Sequence, residues 1–254
     1  MLRAEHLRLE VPGRTLCRDL SLELAPGQCW AILGRNGSGK TTLLHALSGL
    51  AKPAGGEIRL DGQPLAKVSR RQLAQRVGVL LQEESHAFSG SALDYVLLGR
   101  FPHETGMAPG KHDVHLARQA LEKTEMAHAS HQSYATLSGG ERQRVRIAQL
   151  LAQAPEIYFL DEPLQHLDLP HQVGVMRLLA RLAGESGKTV VMVLHDMFWA
   201  SRHCDHALLL YDDGKTSAGQ GAAQITLKNM ENLYQCRLRT IETSDGNYFL
   251  PTLE

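Results

Sequence analysis

Short apolar runs alternate along most of the chain with segments in which apolar positions recur every three or four residues. The runs CWAIL, VGVLL, IYFL and TVVMVL are short and apolar, which is typical of parallel strands buried on both faces. Between them lie helical patterns such as SRRQLAQR, ERQRVRIAQLLAQ and MRLLARL. This order predicts an α/β fold, a mostly parallel sheet with helices on both faces.

The N-terminal part of the chain follows a different pattern. Leu16, Leu22 and Leu24 occupy alternating positions, and the segment GEIRLDGQPL alternates on both sides of Asp61-Gly62. Alternation of this kind is typical of strands with one buried face, and an Asp-Gly pair between them favours a hairpin turn. These residues predict an antiparallel β subdomain before the parallel core.

Residues 83–133 contain no clear buried strand. They have the patterns of loops and amphipathic helices, of which DVHLARQALEKTEM is one example. We predict a helical subdomain inserted into an α/β core that consists of residues 1–82 and 134–254. A small hairpin is predicted from Gln235 to Leu253, with its turn at Asp245-Gly246.

The composition limits the classes of function. The 254 residues carry 27 Lys and Arg against 27 Asp and Glu, so no general positive field draws the chain to nucleic acid. No apolar run reaches the roughly 18 residues of a membrane span, and the charged start MLRAEHLRLE is unlike a signal peptide. Any membrane contact should therefore come through a protein partner. The four cysteines form no CxxC pair, which is typical of reduced cytoplasmic thiols.

A complete phosphate-binding pattern, G-x-x-x-x-G-K-[ST], follows the first apolar run. Its residues are Gly34, Arg35, Asn36, Gly37, Ser38, Gly39, Lys40 and Thr41, and Thr42 comes next in the predicted helix. Glycines allow backbone N–H groups to converge on phosphate oxygens, and the helix N-terminus adds partial positive charge. We expect Lys40 to reach the β- and γ-phosphates of ATP and the Thr41 hydroxyl to bind Mg²⁺. A glycine-rich turn that binds nothing is disfavoured, because the motif fixes four positions between a strand and a helix.

A second apolar run ends in two acids. IYFL is followed by Asp161 and Glu162, and a P-loop needs a carboxylate for magnesium from the tip of a neighbouring strand. We expect Asp161 to hold Mg²⁺ through water and Glu162 to accept a proton from the attacking water, as a general base. On its own, Asp-Glu-Pro could simply end the strand and cap the next element. In a chain with a P-loop, the catalytic interpretation is favoured.

The segment Leu137–Gln143, LSGGERQ, distinguishes between families of nucleotide-binding proteins. Ser138 and Glu141 have the spacing of a capping box at the start of the next helix. Gly139 and Gly140 then lie in the first turn, where each glycine costs about 1 kcal/mol relative to alanine. That cost has a reason if a phosphate must approach the backbone closely, and capping leaves N–H groups exposed for such an anion.

The chain resembles the ATP-binding-cassette (ABC) ATPases, whose signature is LSGGQ or LSGGE, and the resemblance covers almost the whole chain as one cassette domain. The other motifs occur in the family's order: Gln82 after VGVLL, Asp168 in His-Leu-Asp, and His195 after TVVMVL. The resemblance implies that Gln82 senses magnesium and the attacking water and moves with the membrane partner. It also implies that Asp168 links two sites across a dimer and that His195 contacts the γ-phosphate.

A head-to-tail homodimer is a further implication of the resemblance. ATP on one protomer's P-loop would be completed by the signature residues of the other, and one copy of each motif per chain gives a two-fold dimer with two composite sites. The signature residues are Ser138, Gly139, Gly140 and Glu141. The implied catalytic residues are Glu162, His195, Gln82 and Lys40, and the implied Mg²⁺ ligands are Thr41, Gln82 and Asp161.

The chain departs from the family at two places. The family usually stacks adenine on an aromatic residue near the first strand, and here Val11 occupies the matching position, which predicts an apolar and weak contact to the base. After Glu162 the family more often has a Thr and then an Asn, Ser or Ala, whereas this chain has Pro163-Leu164-Gln165-His166. We interpret this difference as variation at the dimer edge rather than lost catalysis.

The predicted insert carries a hint of the transported substrate. Its segment GRFPH, residues 99–103, resembles the GRYPH stretch of ATPases that serve iron-siderophore, haem and cobalamin importers; alternatively, it is only a helix end with a proline turn. The importer interpretation implies separate membrane permease subunits, indirectly a substrate-binding protein, and a peripheral place on the cytoplasmic face of the membrane. We favour cobalamin or a ferric chelate over haem, although no residue decides.

Two other classes remain as alternatives. A soluble cassette ATPase of the iron–sulfur assembly type would keep every nucleotide motif and would also lack membrane spans. A translation or DNA-repair cassette would carry tandem cassettes or a coiled-coil insertion, and this sequence has neither, nor a basic patch. The histidine pairs His112/His115 and His128/His131 lack a completing ligand, and we interpret them as solvated helix surface.

Overall fold

The computed structural model describes residues 1–82, 88–103, 109–243 and 246–252. The chain divides into two compact units: unit 1 contains residues 1–68 and 180–254, and unit 2 contains residues 69–179. The fold class is mixed α/β, with an antiparallel N-terminal sheet and mostly parallel core strands. This class was predicted from the apolar pattern and is confirmed.

The secondary structure agrees with the alternation seen in the sequence. The strands are β1 (Leu2–Val11), β2 (Arg14–Leu24), β3 (Cys29–Leu33), β4 (Gly55–Leu60), β5 (Gln63–Pro64), β6 (Val77–Leu80), β7 (Ile157–Asp161), β8 (Thr189–Val193), β9 (His206–Leu210), β10 (Thr216–Gln220), β11 (Leu238–Thr243) and β12 (Gly246–Pro251). The α-helices are α1 (Lys40–Leu47), α2 (Arg70–Arg76), α3 (Ala92–Leu97), α4 (Lys111–Lys123), α5 (Gly139–Gln153), α6 (Leu169–Gly184), α7 (Met197–His203), α8 (Gly221–Gln224) and α9 (Leu227–Tyr234). Within the described part of the chain, no helix has both the length and the apolar character needed to cross a membrane.

The N-terminal sheet of unit 1 is antiparallel, with the strand order β2-β1-β4-β5. The leucines form its buried face: Leu2 pairs with Leu24 on one side and with Leu60 on the other, and all three are buried. Asp61 and Gly62 join β4 to β5 with φ angles of 47° and 80°, the left-handed pair that a tight hairpin turn requires. The predicted subdomain and its turn are confirmed.

The parallel strands of unit 1 lead into the P-loop. β3 lies between β8 and β9 and pairs in parallel with both, while β10 pairs with β9 in antiparallel register. Every residue of β3 and β8 is buried, as expected of strands covered on both faces. Because parallel strands end at the same edge of a sheet, the loops after β3 and β8 begin at one edge.

Unit 2 combines two parallel strands with a cluster of helices. β6 pairs with β7 in parallel register. Helices α3, α4 and α5 contribute to an apolar core, and the partly buried Tyr95 packs against it by stacking on the buried Tyr134, with 4.2 Å between the ring centroids. The predicted insert, residues 83–133, falls inside this unit, and α3 and α4 belong to it. The limits of the insert stay a prediction.

The C-terminal hairpin consists of β11 and β12 in antiparallel register, so the predicted hairpin is confirmed. Asp245, in its predicted turn, lies outside the described residues. The ring of Tyr248 in β12 stacks on Phe198 of α7 with 4.7 Å between centroids. The hairpin therefore packs against the helix that comes after His195.

Candidate nucleotide site

The P-loop connects β3 to α1 in unit 1. Gly37 and Gly39 have φ angles of 77° and 103°, a left-handed conformation that glycine adopts at little cost. Gly34 is needed for a different reason, since a Cβ atom there would lie 2.6 Å from the carbonyl oxygen of Leu210 and 2.7 Å from Oγ of Ser38. These three glycines allow a tight loop. Because they carry no side chain, a phosphate can approach the loop backbone closely.

The helix after the loop begins without a side-chain cap. Its N-cap residue is Gly39, and no side-chain hydrogen bond caps the helix there. The leading N–H groups of a helix have no acceptor within the helix, and they carry the positive end of its dipole. The first turn of α1 contains no acidic residue. The local field therefore favours an anion from outside the chain.

Lys40 lies on the inner side of the loop. Its Nζ donates to the carbonyl oxygens of Gly34 and Arg35, at 2.9 Å each, and the residue is buried. Ser38 is also buried, and its Oγ has no hydrogen-bond partner among the described residues. A buried hydroxyl without a partner is costly, so an incoming phosphate oxygen would remove an existing penalty.

Three side chains hold the P-loop from its outer side. Arg14, at the start of β2, donates from Nη1 to the carbonyl oxygen of Gly37 at 2.9 Å and from Nη2 to that of Asp212 at 3.2 Å. Arg35 donates from Nη1 to Oδ2 of Asp212 and to Oε1 of Gln235, at 2.7 Å each. Asp212 therefore joins two arginines, one of which belongs to the P-loop and the other of which contacts it. We refer to Arg14, Arg35 and Asp212 as the outer brace.

Two other predicted residues of unit 1 lie at strand ends. His195 comes shortly after β8 and is exposed. The N–H of the preceding Leu194 donates to the carbonyl oxygen of Ile32 at 3.2 Å, which brings His195 to the same sheet edge as the P-loop. Val11 ends β1 and is 39% exposed, so its side chain is open to a ligand; the adenine contact stays a prediction.

Asp161 and Glu162 lie at the end of β7 in unit 2. Asp161 is buried, whereas Glu162 is half-buried and has a φ angle of 51°, an unfavourable conformation for a residue with a Cβ atom. Gln143 of α5 supports this bend, because its Nε2 donates to the carbonyl oxygens of Glu162 at 3.4 Å and of Pro163 at 3.0 Å. Strain of this kind persists where the surrounding contacts enforce it, and it clusters at functional sites.

The signature segment begins α5. The N–H of Ser138 donates to Oε2 of Glu141 at 2.8 Å, and the N–H of Glu141 donates to Oγ of Ser138 at 3.3 Å, so the predicted capping box is confirmed. The bonds from the Ser138 backbone and side chain lower the pKa of Glu141. A Cβ atom at Gly140 would lie 2.9 Å from the carbonyl oxygen of His166, whereas at Gly139 it would meet nothing closer than 3.4 Å. Packing within the chain explains Gly140 and does not explain Gly139.

Asp168 and Gln82 are both on accessible surface of unit 2. Oδ1 of Asp168 accepts a hydrogen bond from the N–H of His171 at 3.2 Å and also contacts Nδ1 of the same residue. These bonds cap the start of α6, and they lower the pKa of Asp168. Gln82 comes shortly after β6 and is exposed. The contact of either residue with a partner or a nucleotide stays a prediction.

The GRFPH segment, a 3₁₀ helix, holds the C-terminal end of α5. Arg100 is buried and donates from Nη1 to the carbonyl oxygen of Ala152 at 2.7 Å and from Nε to Oδ1 of Asp113 at 2.9 Å. Nε2 of His103 lies 2.9 Å from the carbonyl oxygen of Gln153. Carbonyls at the end of a helix carry partial negative charge, so a cation there is stabilising. The segment therefore has a packing role that the sequence did not reveal.

These residues fit a nucleotide and Mg²⁺. In unit 1 the glycine loop, the uncapped start of α1 and Lys40 all favour phosphate. Thr41 offers a hydroxyl oxygen, Asp161 a carboxylate oxygen and Gln82 an amide oxygen, and Mg²⁺ binds oxygen ligands. The P-loop and His195 belong to unit 1, and the acidic pair, Gln82 and the signature belong to unit 2. The complete ligand set stays a prediction.

Two groups of supporting residues were missed from the sequence. Arg14 and Asp212 are 198 positions apart, and a contact over that separation has no local signature. Gln143 ends the signature segment, but a glutamine in a helix is usually a surface residue. Its burial was not evident because a helical period marks the apolar face and not a polar side chain within it.

A strand, a glycine loop with a buried lysine and an uncapped helix define a P-loop ATPase. The glycine pair in the capping box at the start of α5 is typical of one class of these enzymes, the ATP-binding-cassette ATPases. A profile of the family described as "ABC transporter" matches residues 17–165, which is more than half of the chain. The chain belongs to the ABC transporter family, as an ATP-binding, ATP-hydrolysing subunit.

Two relatives match the chain over most of its length. The hemin import ATP-binding protein HmuV of Myxococcus xanthus is 40% identical over 237 residues, covering 91% of this chain and 88% of the relative. The ferric enterobactin transport ATP-binding protein FepC of Escherichia coli is 36% identical over 242 residues, covering 95% of this chain and 89% of the relative.

Solved structures of ABC proteins share the fold. A metal-chelate type ABC transporter in an inward-facing conformation superposes with a TM-score of 0.86 at 30% identity, covering 100% of this chain and 98% of that one. The dimeric ATP-binding cassette MJ0796, bound to ADP and Pi, gives a TM-score of 0.77 at 28% identity, covering 87% of this chain and 98% of that one.

Proposed function

We propose that this chain is the ATPase subunit of an importer that takes up an iron chelate, either haem or a ferric siderophore, through a separate membrane permease. The observation that carries the proposal is the match over nine-tenths of the chain to proteins named for hemin import and ferric enterobactin transport. The similarity to a metal-chelate type transporter supports the same substrate class. Cobalamin, which the sequence also suggested, is a metal chelate too. The growth experiment described below distinguishes it from haem and from a ferric siderophore.

In this proposal the P-loop binds ATP through its phosphates. Lys40 exchanges its bonds to the loop carbonyls for oxygens of the β- and γ-phosphates, and the hydroxyl of Ser38 gains an acceptor. Mg²⁺, bound through Thr41, Asp161 and Gln82, supplies charge that stabilises the transferring phosphoryl group. Val11 covers the base, and a contact through one small apolar side chain leaves most of the affinity to the phosphates.

Glu162 acts as the general base. Its carboxylate accepts a proton from a water molecule as the water oxygen forms a bond to the γ-phosphorus and the bond to the leaving ADP oxygen breaks. The left-handed backbone at Glu162 is the kind of strain that functional sites retain. His195 donates a hydrogen bond to the γ-phosphate, and Gln82 orients the water.

The catalytic unit in the proposal is a homodimer. Ser138, Gly139, Gly140 and Glu141 of one protomer complete the site on the other. The capped start of α5 presents N–H groups and a positive dipole end, and Gly139 has no side chain that would block the approach of a γ-phosphate to the backbone. Asp168 lies beside the dimer axis and links the two sites. A two-fold arrangement places two such composite sites in each dimer.

The permease contact is proposed for the helical part of unit 2. Leu98 and Phe101 are exposed by 48% and 74%, although their neighbours in the GRFPH segment are held firmly. The carbonyl oxygen of Pro102, next to Phe101, accepts hydrogen bonds from Arg71 Nε at 3.0 Å and Gln75 Nε2 at 2.9 Å. A rigid backbone that displays apolar side chains is typical of an interface anchor. The subunit would then lie on the cytoplasmic face of the membrane and meet a substrate-binding protein only indirectly.

The test is growth of the source organism without this subunit. Cells lacking it should fail to use either haem or one ferric siderophore as sole iron source, and the wild-type subunit should restore growth. Growth limited only by cobalamin would move the substrate to that chelate. Loss of iron–sulfur enzyme activity on every iron source, with uptake unchanged, would replace the transport function by iron–sulfur assembly.

A matched pair of variants tests the permease contact in the same cells. The double variant Leu98→Ser/Phe101→Ser should fail to restore growth although its isolated ATPase activity is normal, because only docking is lost. Leu50→Ser removes an equally exposed leucine, at 49%, from unit 1 and should restore growth fully. Full function of the double variant would place the permease contact elsewhere.

A further inference from the structure

A buried chain of hydrogen bonds crosses unit 2 from the end of β6 to the bend after β7. Arg146 of α5 donates from Nη2 to the carbonyl oxygen of Leu81 and from Nη1 to Oε1 of Gln143 at 2.8 Å. Gln143 then donates from Nε2 to the carbonyl oxygens of Glu162 at 3.4 Å and of Pro163 at 3.0 Å. One guanidinium and one amide therefore connect two separate loops. We refer to Arg146 and Gln143 as the relay pair.

The relay pair is costly to keep. Gln143 is 3% exposed and Arg146 is 9% exposed, and a buried guanidinium loses far more hydration than an apolar side chain of similar size. The two residues are three positions apart in α5, so they lie on one face of the helix. Apolar residues at both positions would avoid that cost but would leave the carbonyls of Leu81, Glu162 and Pro163 without these donors. The two polar side chains therefore serve to hold the backbone of the two loops.

The two loops that the relay pair connects carry two residues of the proposed mechanism, Gln82 and Glu162. The carbonyl of Leu81 belongs to the peptide that joins it to Gln82, so Arg146 fixes the backbone from which the Gln82 side chain extends. At the other end, the carbonyl that Gln143 holds belongs to Glu162, whose backbone is left-handed. Losing that bond would allow the carboxylate of Glu162 to rotate away from the attacking water.

We propose that Arg146 and Gln143 are positioning residues that couple Gln82 to Glu162. The proposal rests on the catalytic role proposed above for Glu162. A displacement of the Leu81–Gln82 peptide moves the guanidinium of Arg146, and the guanidinium in turn moves the amide that holds Glu162 in place. The planar fork of arginine makes this possible, because its two donors have a fixed mutual geometry. Lysine would keep the charge and hold one end only.

The experiment is a double-mutant cycle on ATP hydrolysis by the full chain. We expect Arg146→Lys to lower kcat about tenfold, since misplacement of a catalytic group by a fraction of an ångström has effects of this order. The KM for ATP should change less than about twofold, because the P-loop is untouched. The decisive result is that Gln82→Ala lowers kcat in the wild-type background and has little further effect in the Arg146→Lys background.

A purely structural role predicts a different result. If the relay pair only stabilises the fold, the effects of Gln82→Ala and Arg146→Lys on kcat per folded molecule multiply, and the proposal is overturned. Gln143→Met removes the amide while keeping the volume, and it should give the same loss of coupling. This second variant keeps the test decisive if Arg146→Lys does not fold.

Arg100 provides the matched control. It is also a buried arginine of unit 2 that donates to a backbone carbonyl, but its described hydrogen bonds go to Ala152 and Asp113 and not to Leu81 or Gln143. Arg100→Lys should lower the unfolding midpoint. It should change neither kcat nor the effect of Gln82→Ala on kcat. Wild-type hydrolysis and its loss in Glu162→Gln are measured alongside. If Glu162→Gln hydrolyses normally, the role proposed for Glu162 fails; if it is inactive and the effects in the cycle multiply, only the coupling fails.

Discussion

Gly99 packs directly against α5: a Cβ atom on Gly99 would overlap the carbonyl oxygen of Gln149 and would lie 3.2 Å from the backbone nitrogen of Gln153. The 3₁₀ helix of the GRFPH segment and the last turns of α5 therefore touch backbone to backbone. The glycine that suggested a class of transported substrate is required here by packing. The neighbouring Arg100 stabilises the same contact, because its guanidinium donates to a carbonyl at the C-terminal end of α5.

Replacing Gly99 by alanine should therefore destabilise the protein. The Cβ atom cannot be accommodated unless the backbone of α5 shifts, so we expect a loss of about 2 kcal/mol or more in the free energy of unfolding. Urea denaturation measures it. Gly184→Ala is the control, since a Cβ there meets nothing within 4 Å and alanine favours a helix. Equal effects of both substitutions would contradict the packing described.

The ion pair between Arg100 and Asp113 should give a pH-dependent stability. The hydrogen bond from Arg100 is the main cause that lowers the pKa of Asp113. A carboxyl whose pKa is lower in the folded state contributes stability above its unfolded pKa of about 3.9 and loses it as pH falls through the folded value. We expect Asp113→Asn to be less stable than wild type at pH 7.

The pH series supplies the check on this prediction. Urea unfolding at pH 7, 4 and 3 should show a difference between Asp113→Asn and wild type that narrows at the acidic end. Glu122→Gln, an exposed change in the same helix, should show no such difference at any pH. A difference between Asp113→Asn and wild type that stayed constant with pH would exclude the ion pair as its cause.

Much of the fold could be predicted because its signals are local. The apolar run CWAIL became a strand buried at every position, and Asp61-Gly62 turned the chain as this pair usually does. The capping box at Ser138 was also evident, because a cap and its partner are only three residues apart. Each of these features is specified within about ten residues of sequence.

What the sequence could not predict depends on distant or buried polar contacts. Nothing near Arg14 indicates that it meets Asp212, and nothing near Arg146 indicates that its guanidinium is buried against Leu81. The Pro163–His166 segment illustrates a third case: it was interpreted as variation at a dimer edge, and the structure adds that His166 packs against Gly140. Such contacts are set by how elements pack, and periodicity does not encode them.

Glu162→Gln should nearly abolish ATP hydrolysis while leaving nucleotide binding intact. Removing a general base costs about 10²- to 10⁴-fold in rate, whereas the P-loop that holds the phosphates is unchanged. Phosphate release and the affinity for a fluorescent ATP analogue measure the two quantities separately. Glu156→Gln, a nearby exposed acid paired with Arg76, should hydrolyse ATP normally. Normal turnover in Glu162→Gln would remove the residue from its role.

Ser138→Ala should prevent ATP-driven dimerisation without preventing ATP binding. In the slowly hydrolysing Glu162→Gln background, ATP should shift the chain from monomer to dimer in size-exclusion chromatography with light scattering, and Ser138→Ala should abolish the shift. Ser91→Ala is the matched control, because Ser91 forms the same kind of capping box with Asp94 at α3. Both substitutions cost about 1 kcal/mol of stability. If both abolished the dimer, loss of the cap would suffice as the explanation.

The outer brace should affect nucleotide affinity rather than turnover. Arg14 holds the carbonyl of Gly37, and the N–H of the same peptide, which belongs to Ser38, donates to the carbonyl of Arg35 at 3.1 Å, so Arg14 braces a peptide inside the loop. We expect Arg14→Ala to weaken ATP binding about tenfold, equal to about 1.4 kcal/mol, with kcat at saturating ATP unchanged.

The control is Arg18→Ala, which changes a nearby arginine that has no hydrogen bond to the P-loop among those described. This variant should bind ATP normally. Asp212→Asn should weaken binding less, because Arg14 keeps its bonds to the carbonyls of Gly37 and of residue 212. Unchanged affinity in Arg14→Ala would show that the P-loop keeps its shape without the brace.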